Sequence, residues 1–237
     1  MTSTKRIALV TGASRGIGRY LAEHLLGKGY TVVGASRRSA EWEADGYHDF
    51  PTDVSDEKSV VDLMKKLRKL DGPLEVSVTN AGVASMNAAL LTPASSVRQI
   101  MDTNLLGTFV ISRESAKLMR RNSYGRIVTM SSVAVPLRLE GQAAYVASKS
   151  AVESLTQVLA REFFSYGITV NALSLPPVDI GLTQGVPKEK LLKLTEILPV
   201  NRMGSLDDVA HALDFLINKN SGVITGQILS LGGLSAS

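Results

Sequence analysis

The sequence predicts an α/β protein: a Rossmann-type, doubly wound parallel sheet in a single domain. Strand-like and helix-like segments alternate along the whole chain. The first strand leads into a glycine-rich turn and then a helix. The chain has 237 residues, of which 44% are hydrophobic and 20% charged, as expected for one globular domain. The sequence contains no linker or internal repeat, so we predict that the domain spans residues 1–237.

Hydrophobic periodicity and turn residues predict the elements in order. The predicted strands are 6–10, 31–35, 74–79, 125–131, 167–173 and 227–231. The predicted helices are 16–28, 56–70, 95–121, 144–166 and 205–217. In a doubly wound sheet, ligands bind beyond the carboxyl ends of the strands. Residues that follow a strand are therefore the first candidates for a site.

The turn after the first strand has the glycine spacing of a dinucleotide site. Gly12 permits a tight turn, Gly16 removes a Cβ where a pyrophosphate approaches, and Gly18 lets helix and strand pack closely. The helix N-terminus offers unpaired N–H groups and the positive end of its dipole to phosphates. An ordinary glycine-rich loop is the alternative. The predicted cofactor contacts in this turn are Gly12, Ser14, Arg15, Gly16, Ile17 and Gly18.

The end of the second strand indicates which dinucleotide binds. Sites for NAD usually place a carboxylate there to hold the ribose 2′-hydroxyl. This chain has Ser36, Arg37 and Arg38 instead, and Arg15 lies in the glycine turn. Guanidinium groups suit a 2′-phosphate. We therefore predict NADP(H), with Arg15 and Arg37 on the phosphate and Ser36 as a lesser donor. The alternative is that these arginines are solvated surface charges.

Two irregular stretches complete the chain. The span from Arg38 to Asp53 is short, which predicts a reduced element, with Trp42 packing near the adenine side. The segment 181–198 has early glycine and proline residues and then a helical pattern at 188–197, which predicts a substrate lid. Simple packing of a surface helix is the alternative for this segment. The residues expected on the apolar face of the lid are Leu182, Val186, Leu191, Leu194 and Ile197.

A tyrosine and a lysine lie four residues apart on the helix predicted at 144–166. Tyr145 and Lys149 therefore share a face, which places an ammonium beside a phenol. A free phenol titrates at about pH 10, and a neighbouring cation lowers this pKa toward the range useful for acid–base chemistry. Ser132 follows an apolar run and is placed to bond a substrate oxygen. Such a pair alone is more often surface packing, so its weight depends on the glycine turn.

With these motifs, the chain resembles the short-chain dehydrogenase/reductase family over nearly its whole length. The matching motifs, in the order of the family, are the glycine turn, Asp53-Val54, Asn80-Ala81-Gly82, Asn104, Ser132, Tyr145, Lys149 and Ile224–Gln227. The resemblance implies that Tyr145 transfers a proton and that Ser132 holds the substrate oxygen. It implies that Lys149 binds the nicotinamide ribose and lowers the pKa of the phenol. It implies that Asn104 positions a water linked to Lys149.

The same resemblance implies further cofactor contacts. They are Asp53 and Val54 at the adenine, Asn80, Ala81 and Gly82 after the fourth strand, and Pro176 and Val178 beside the nicotinamide. The last two lie where the chain departs from the family. Pro176 replaces the usual glycine and Ile180 the usual threonine. Proline fixes φ and lacks an N–H, so we expect a stiffer loop there.

Within the family, the chain is most similar to the 3-oxoacyl-[acyl-carrier-protein] reductases. This resemblance implies NADPH-dependent reduction of a 3-oxoacyl thioester, held by acyl-carrier protein or coenzyme A, to the 3-hydroxyacyl thioester. Those reductases carry basic residues where this chain has Ser123 and Tyr166, and Arg120 and Arg121 are nearby substitutes. Free ketones, sugars and polyols are alternative substrates. A dinucleotide-sensing regulator is the non-enzyme alternative, which the four retained catalytic positions disfavour.

Composition narrows the remaining possibilities. The chain has no cysteine and only three isolated histidines, so we expect no disulfide, thiolate catalysis or metal site. The formal net charge of +4 is dispersed and no nucleic-acid motif is present, so we expect no nucleic-acid partner. No apolar run reaches the ~20 residues of a membrane span and no secretory signal is present, which predicts a cytoplasmic protein with no membrane contact. The family resemblance implies a homotetramer or homodimer formed through helices 95–121 and 144–166.

Overall fold

Seven parallel strands form one sheet in the part of the chain that the structure describes. This structure is a computed structural model that describes residues 5–178, 180 and 188–234, and the strand order is β3-β2-β1-β4-β5-β6-β7. The strands are β1 (Arg6–Thr11), β2 (Tyr30–Ala35), β3 (Tyr47–Asp49), β4 (Leu74–Thr79), β5 (Gly125–Ser132), β6 (Ile168–Leu175) and β7 (Ile228–Ser230). The helices are α1 (Gly16–Gly27), α2 (Glu57–Leu67), α3 (Ala94–Met101), α4 (Gly107–Met119), α5 (Ala134–Leu137), α6 (Ala143–Phe163), α7 (Lys188–Ile197) and α8 (Leu206–Ile217).

Helices cover both faces of this sheet. Because strand side chains alternate between faces, Ile7 and Leu9 of β1 join the core beneath α2, α4 and α6. Ala8 and Val10 join the core beneath α1 and α8. Burial on both sides explains why the strands are continuous apolar runs in the sequence. The predicted doubly wound, single-domain α/β fold is confirmed.

The strand order reverses beside β1. This strand pairs with β2 on one side and with β4 on the other, so the connections leave in opposite directions and a crevice opens above the strand ends. Gly12, Asn80 and Pro176 directly follow β1, β4 and β6, and Ser132 is the last residue of β5. The fold therefore brings four predicted site segments to one edge of the sheet.

The single helix predicted at 95–121 is wrong in one respect. The α3 helix ends at Met101, a π turn occupies Asp102–Leu106, and α4 begins only at Gly107. A π turn inserts one residue into the helical repeat and occurs often at functional sites. The insertion shifts the apolar pattern by only one position, so periodicity did not reveal it. Asn104 lies at the centre of this turn.

The other irregular stretches agree in part with expectation. Between β2 and α2 the chain forms only the three-residue β3, as the short span predicted. The α7 helix coincides with the helical pattern at 188–197, while 181–187, with Leu182 and Val186, lie outside the described residues. Leu191 and Leu194 are half-buried and Ile197 is 57% exposed, and the role of this helix as the apolar face of a lid stays a prediction. None of the described helices combines the length and apolar character of a membrane span.

Candidate active site

Positive φ angles and a close contact between Gly18 and Gly12 shape the glycine turn. Gly12 and Gly16 have φ of 70° and 63°, in the left-handed region that favours glycine. A Cβ on Gly18 would lie 2.2 Å from the carbonyl oxygen of Gly12, so α1 and the turn pack together only with glycine there. Arg15, the N-cap of α1, makes no side-chain capping bond within the described residues, and the first turn of α1 has no acidic residue. The helix therefore keeps an N-terminus suited to an anion.

The end of β4 braces this turn. The Asn80 amide nitrogen donates to the carbonyl oxygen of Thr11 at 2.9 Å, and the Ala81 N–H donates to Thr11 Oγ1 at 2.9 Å. A Cβ on Gly12 would lie 2.8 Å from the Asn80 amide nitrogen. Asn80 and Ala81, predicted as cofactor contacts, thus lie beside the glycine turn, where they also fix its shape.

A polar cleft lies beside the end of β2, where Asp53 is predicted to contact adenine. It encloses about 380 Å³ and is lined by Arg37, Asp53, Ser55, Ser95, Arg98, Gln99, Asp102 and Thr103. Asp53 Oδ1 accepts bonds from the N–H and the hydroxyl of Ser55, at 2.9 and 2.6 Å. The Ser55 hydroxyl, with a smaller contribution from Arg37, lowers the pKa of Asp53. Arg37 therefore faces the carboxylate predicted to contact adenine.

The two arginines predicted on a 2′-phosphate are held on adjoining segments. The Ser14 N–H donates to Ser36 Oγ at 3.1 Å, and each arginine directly follows one member of this bonded pair. Arg15 and Arg37 are exposed, whereas Ser36 is buried. The two arginines thus lie on bonded segments at the ends of β1 and β2, and Arg37 also lines the polar cleft. Val54, in contrast, packs its side chain against Gly107 at the start of α4.

The predicted catalytic residues converge at the other end of the crevice. Ser132 ends β5, and its hydroxyl is near enough to the Tyr145 phenol to lower the pKa of that phenol. Lys149 is 5% exposed, and its Nζ lies 5.8 Å from the centre of the Tyr145 ring. That Nζ donates to the carbonyl oxygen of Met130 at 2.8 Å. A hydroxyl, a phenol and an amine from β5 and α6 are thus brought together.

Asn104 joins the β4 side of the site to the catalytic helix. Its Oδ1 accepts from the Val83 N–H at 2.8 Å, and its Nδ2 donates to the Val83 carbonyl at 2.9 Å. The same Nδ2 donates to Ser148 Oγ at 3.0 Å, and Ser148 in turn donates to the carbonyl of Tyr145 at 2.7 Å. Both amide hydrogens of Asn104 are therefore committed to protein acceptors. The role of Asn104 in holding a water stays a prediction.

Gly82 lies between these groups. A Cβ there would lie 3.3 Å from Asn104 Oδ1 and 3.6 Å from Lys149 Nζ. The absent side chain lets the amide and the ammonium approach the same backbone segment. Gly82 is thus close to the catalytic residues as well as at the end of β4.

Burial dominates the electrostatics of the catalytic residues. Burial raises the pKa of Tyr145, and the Ser132 hydroxyl opposes this by lowering it. Burial also lowers the pKa of Lys149 to about 8. The expectation that Lys149 brings the phenol pKa down is therefore not met by the protein groups alone. Without added charge, the site keeps the proton on Tyr145.

The segment after β6 is packed on two sides. A Cβ on Gly204 would lie 2.7 Å from Pro176 Cγ, and the Gly204 N–H donates to the Pro177 carbonyl at 3.0 Å. Val178 is 5% exposed and forms a parallel bridge with Gly204. These contacts agree with the stiff loop that the prolines predicted. Pro176 and Val178 lie past the end of β6, at the sheet edge that carries the other site segments.

Sequence reasoning missed two residues near the site and one ion pair elsewhere. Ser148 could have been found, because it lies three residues after Tyr145 on the inward face of α6. Arg98 lines the polar cleft from α3, and no local pattern indicated it. The sequence also gave His24 no partner, whereas Asp214 of α8 lies 3.0 Å from its Nε2. Within residues 5–178, 180 and 188–234, no cluster of three metal-ligating side chains occurs.

The groups present fit a nicotinamide dinucleotide. The glycine turn offers a helix N-terminus without a capping side chain, and the cleft beside Arg37 offers polar groups for an adenosine. The Ser132–Tyr145–Lys149 cluster lies at the far end of the same crevice. The polar cleft, the anion site and the acid–base cluster thus follow one another along the strand order β2-β1-β4-β5, as adenosine, pyrophosphate and reactive ring do in a dinucleotide.

Comparisons with known proteins agree with this geometry. A family model described as enoyl-(acyl carrier protein) reductase matches residues 12–234. The chain is 32% identical over 236 residues to the 3-oxoacyl-[acyl-carrier-protein] reductase FabG of Escherichia coli (strain K12), with 96% of each protein covered. It is 35% identical over 236 residues to the protein of that name from Staphylococcus aureus (strain Mu50), with 95% of this chain and 96% of that protein covered.

One solved structure extends the comparison. It is provisionally described as a gluconate dehydrogenase from Agrobacterium tumefaciens, and it superposes with a TM-score of 0.86 at 26% sequence identity. The match covers 96% of this chain and 94% of that one. Fold, site and relatives together define the class of protein, an oxidoreductase that acts on C=O and CH–OH groups with a nicotinamide dinucleotide. The chain belongs to the short-chain dehydrogenase/reductase family.

Proposed function

We propose that the protein uses NADPH to reduce a ketone to a secondary alcohol, and that the ketone is the 3-oxo group of an acyl thioester. The observation that carries this proposal is the convergence of Ser132, Tyr145 and Lys149 at the edge of the sheet that also carries the glycine turn. NADPH, when bound, supplies the hydride for the carbonyl carbon. The residues of the chain supply the proton for the oxygen and the orientation of both reactants.

In this proposal Tyr145 is the proton donor. Burial holds its proton, so the phenol enters the reaction as an acid. Ser132, close to the same hydroxyl, orients the substrate oxygen toward it. As negative charge develops on that oxygen, the phenol transfers its proton and the secondary alcohol forms. The product differs from the ketone by one hydride and one proton.

Lys149, beside the Tyr145 ring, assists the proton transfer. With a pKa of about 8 it carries its positive charge at neutral pH, and its position beside the Tyr145 ring favours the phenolate left after transfer. Asn104 and Ser148 hold this part of α6 against the β4 loop. We assign Lys149 the ribose hydroxyls as a second partner. Reprotonation of Tyr145 then completes the cycle.

Arg15 and Arg37 support NADPH over NADH. Both are exposed and follow the bonded Ser14–Ser36 pair, and Arg37 also faces the cleft that holds Asp53. A bidentate guanidinium bond to phosphate is strong, whereas a ribose hydroxyl gains less from it. We therefore propose that these two arginines bind the 2′-phosphate.

The relatives named as 3-oxoacyl-[acyl-carrier-protein] reductases support a thioester substrate. The charges at two further positions bear on the choice of carrier. Gly167, next to Tyr166, packs against the carbonyl of Ser123, so the two positions where those reductases carry basic residues adjoin each other here without a positive charge. Exposed Arg120 and Arg121 at the end of α4 are the nearest substitutes for an acidic carrier.

A second candidate is oxidation or reduction of free sugar acids or polyols. The observation in its favour is the structural likeness to the protein described as a gluconate dehydrogenase. Such a substrate would need polar groups to bind its hydroxyls, and the described loop at 86–91 is instead exposed and largely apolar, with Leu90 100% and Leu91 77% exposed. We therefore favour the acyl thioester.

A substrate panel tests the proposal. Purified protein is assayed for NADPH consumption with acetoacetyl-CoA, a simple ketone and a keto sugar acid, and for NADP⁺ reduction with gluconate. We expect acetoacetyl-CoA to give the highest kcat/KM and NADPH to be preferred over NADH. Preference for gluconate would favour the second candidate. Tight NADPH binding without turnover on any carbonyl would favour a dinucleotide-sensing regulator.

A further inference from the structure

Trp42, the single tryptophan of the chain, is buried against the glycine turn. Its side chain is 9% exposed, and its indole Nε1 donates to the carbonyl oxygen of Ala13 at 3.1 Å. Its ring stacks on Tyr47 of β3 with 3.9 Å between ring centres, and the guanidinium of Arg19 on α1 lies 5.5 Å from the indole. One side chain thus joins the segment after β2, β3 and α1 to the turn itself.

The peptide between Ala13 and Ser14 is hydrogen-bonded at both ends, and Trp42 makes one of the two bonds. The carbonyl of Ala13 and the N–H of Ser14 belong to the same planar peptide and point in opposite directions. The indole holds the carbonyl end, while Ser36 Oγ holds the N–H end at 3.1 Å. A peptide fixed at both ends cannot rotate about its neighbouring bonds. Its orientation sets that of the N–H groups that follow in the turn.

The sequence makes room for this arrangement. A Cβ on Gly34 of β2 would lie 1.9 Å from the Tyr47 hydroxyl, so only glycine at this position admits the ring that stacks on Trp42. The loop before β3 is closed by a bond from the Ala40 N–H to Asp49 Oδ2 at 3.0 Å. The Trp42–Tyr47 stack therefore occupies a built recess, in a stretch where the chain has only a three-residue strand.

We propose that Trp42 is a positioning residue for the dinucleotide: it locks the Ala13–Ser14 peptide so that the turn presents its N–H groups to the pyrophosphate. This inference rests on the proposed function of the site. The pyrophosphate is common to NADPH and NADH, so the contribution of Trp42 is the same for both. Arg37, in contrast, is proposed to strengthen the binding of NADPH and not that of NADH.

The test is the substitution Trp42→Phe. Phenylalanine keeps a ring for stacking on Tyr47 but lacks the N–H that holds Ala13. We expect the Kd values of NADPH and NADH, measured by titration calorimetry, to rise by the same factor of about three to ten, the loss of one hydrogen bond. The KM for the cofactor should rise by the same factor, and kcat should stay at the wild-type value. An unchanged Kd, or a loss for NADPH alone, would overturn the proposal.

Tyr30→Phe is the matched control. Tyr30 lies in the same hydrophobic core as Trp42 and also loses one polar atom, but it begins β2, at the end of the strand remote from the turn. Its Kd values should equal those of the wild type. If the wild type binds no dinucleotide, the proposed function fails. If the wild type binds and Trp42→Phe binds equally well, only the role of Trp42 fails.

A second measurement uses the unaltered chain, so it is independent of how the variant folds. A chain with one tryptophan gives one indole N–H signal in ¹⁵N-labelled protein, which needs no further assignment. We expect this signal to exchange slowly with solvent and to shift on titration with NADP⁺ or with ADP, but not with adenosine, which lacks the pyrophosphate. A rapidly exchanging signal, or one that NADP⁺ leaves unmoved, would contradict the proposal.

Discussion

The phenol of Tyr145 lies where the protein itself opposes ionisation. Burial raises its pKa, and the Ser132 hydroxyl only partly offsets this effect. An acid that keeps its proton until charge develops on the substrate is suited to carbonyl reduction. The lowering of this pKa that the sequence predicted must then come from groups bound in the crevice. Among the residues of the site, burial therefore shifts the pKa values more than interactions between charged side chains do.

Tyr145→Phe removes the proposed proton and little else. We expect kcat for NADPH-dependent ketone reduction to fall by about 10²–10⁴-fold, the usual contribution of a positioned acid. The Kd for NADPH, measured by titration, should stay near that of the wild type. Retention of substantial turnover by the variant would show that another group donates the proton.

Arg37→Ala tests the choice of cofactor. Loss of a charge-assisted bond to the 2′-phosphate should raise the Kd for NADPH by about 10- to 100-fold, while the Kd for NADH changes little. Arg38→Ala, at the adjacent exposed position, is the control and should leave both values unchanged. Equal losses for the two cofactors would count against a phosphate contact.

Lys149 gives a pH signature in stability. Its pKa in the folded protein is about 8, against 10.5 as the ordinary value, so between these pH values the unfolded chain binds more protons. The free energy of unfolding therefore rises with pH across this window. Below pH 8 both states are protonated, and burial of the charge costs the fold a constant ~3 kcal/mol.

Lys149→Met removes this titration. We expect the variant to be the more stable protein below pH 8, by about 2 kcal/mol once the lost bond to Met130 is subtracted. Its advantage should shrink by about 3 kcal/mol between pH 8 and 10.5. Urea unfolding at several pH values measures this difference. A stability difference independent of pH would mean that Lys149 is not a buried charge.

At the scale of elements, the π turn and α6 act together. The Asn104 side chain bonds both the Val83 backbone and Ser148 of α6, and the π turn places its amide between them. The Ser148 hydroxyl in turn donates a hydrogen bond to the carbonyl oxygen of Tyr145. Tyr145, the proposed proton donor, is therefore held by its own helix and, through two polar side chains, by the segment after β4.

Ser148→Ala tests that connection. The change leaves one hydrogen of the buried Asn104 amide without its acceptor, which should cost about 1–3 kcal/mol in the free energy of unfolding. We also expect a lower kcat, since the first turn of α6 loses a restraint. Ser150→Ala, two residues along the same helix, should change neither quantity appreciably. A Ser148 variant as stable and active as the wild type would contradict this role.

Much of this architecture was predictable at the level of elements. The parallel strands are apolar on both faces, so their positions stood out, and the glycine turn was recognisable from Gly12, Gly16 and Gly18. The π turn was not predictable, because one inserted residue shifts the helical repeat by a single position, which is too small a change for a short apolar pattern to reveal. Neither was the bond from Trp42 to Ala13, which spans 29 positions and depends on the shape of a short loop.

At the scale of the whole molecule, the hydrophobic core and the site residues occupy different parts of the sheet. The N-terminal ends of the strands lie in apolar cores on both sides, while the polar and titratable site residues gather where the strands end. Different strands each deliver one segment, so the site exists only in the assembled sheet. Sequence spacing alone gave Tyr145 and Lys149 their proximity. The approach of Ser132, Gly82 and Asn104 to them required the fold.

One outer surface still exposes apolar groups. A cleft of about 380 Å³ beside the π turn is lined by Met101, Asp102, Leu105, Leu106, Phe109 and Leu155. Nearby on α6, Val158 is 52% exposed, and Phe164 just beyond the helix is 51% exposed. Apolar surface of this kind, on the two helical segments that the family resemblance assigned to subunit contact, favours self-association.

We therefore expect light scattering at micromolar concentration to give two or four times the chain mass of 25.3 kDa. Val158→Glu places a charge on this surface, three residues after Leu155 and far along α6 from Tyr145, and should shift the protein toward the monomer because an unpaired charge is costly to bury. Leu90→Glu is the control, since Leu90 is 100% exposed in the loop after β4, and it should leave the mass unchanged. A monomeric wild type would refute the interface, while an oligomer unaffected by Val158→Glu would place it on another face.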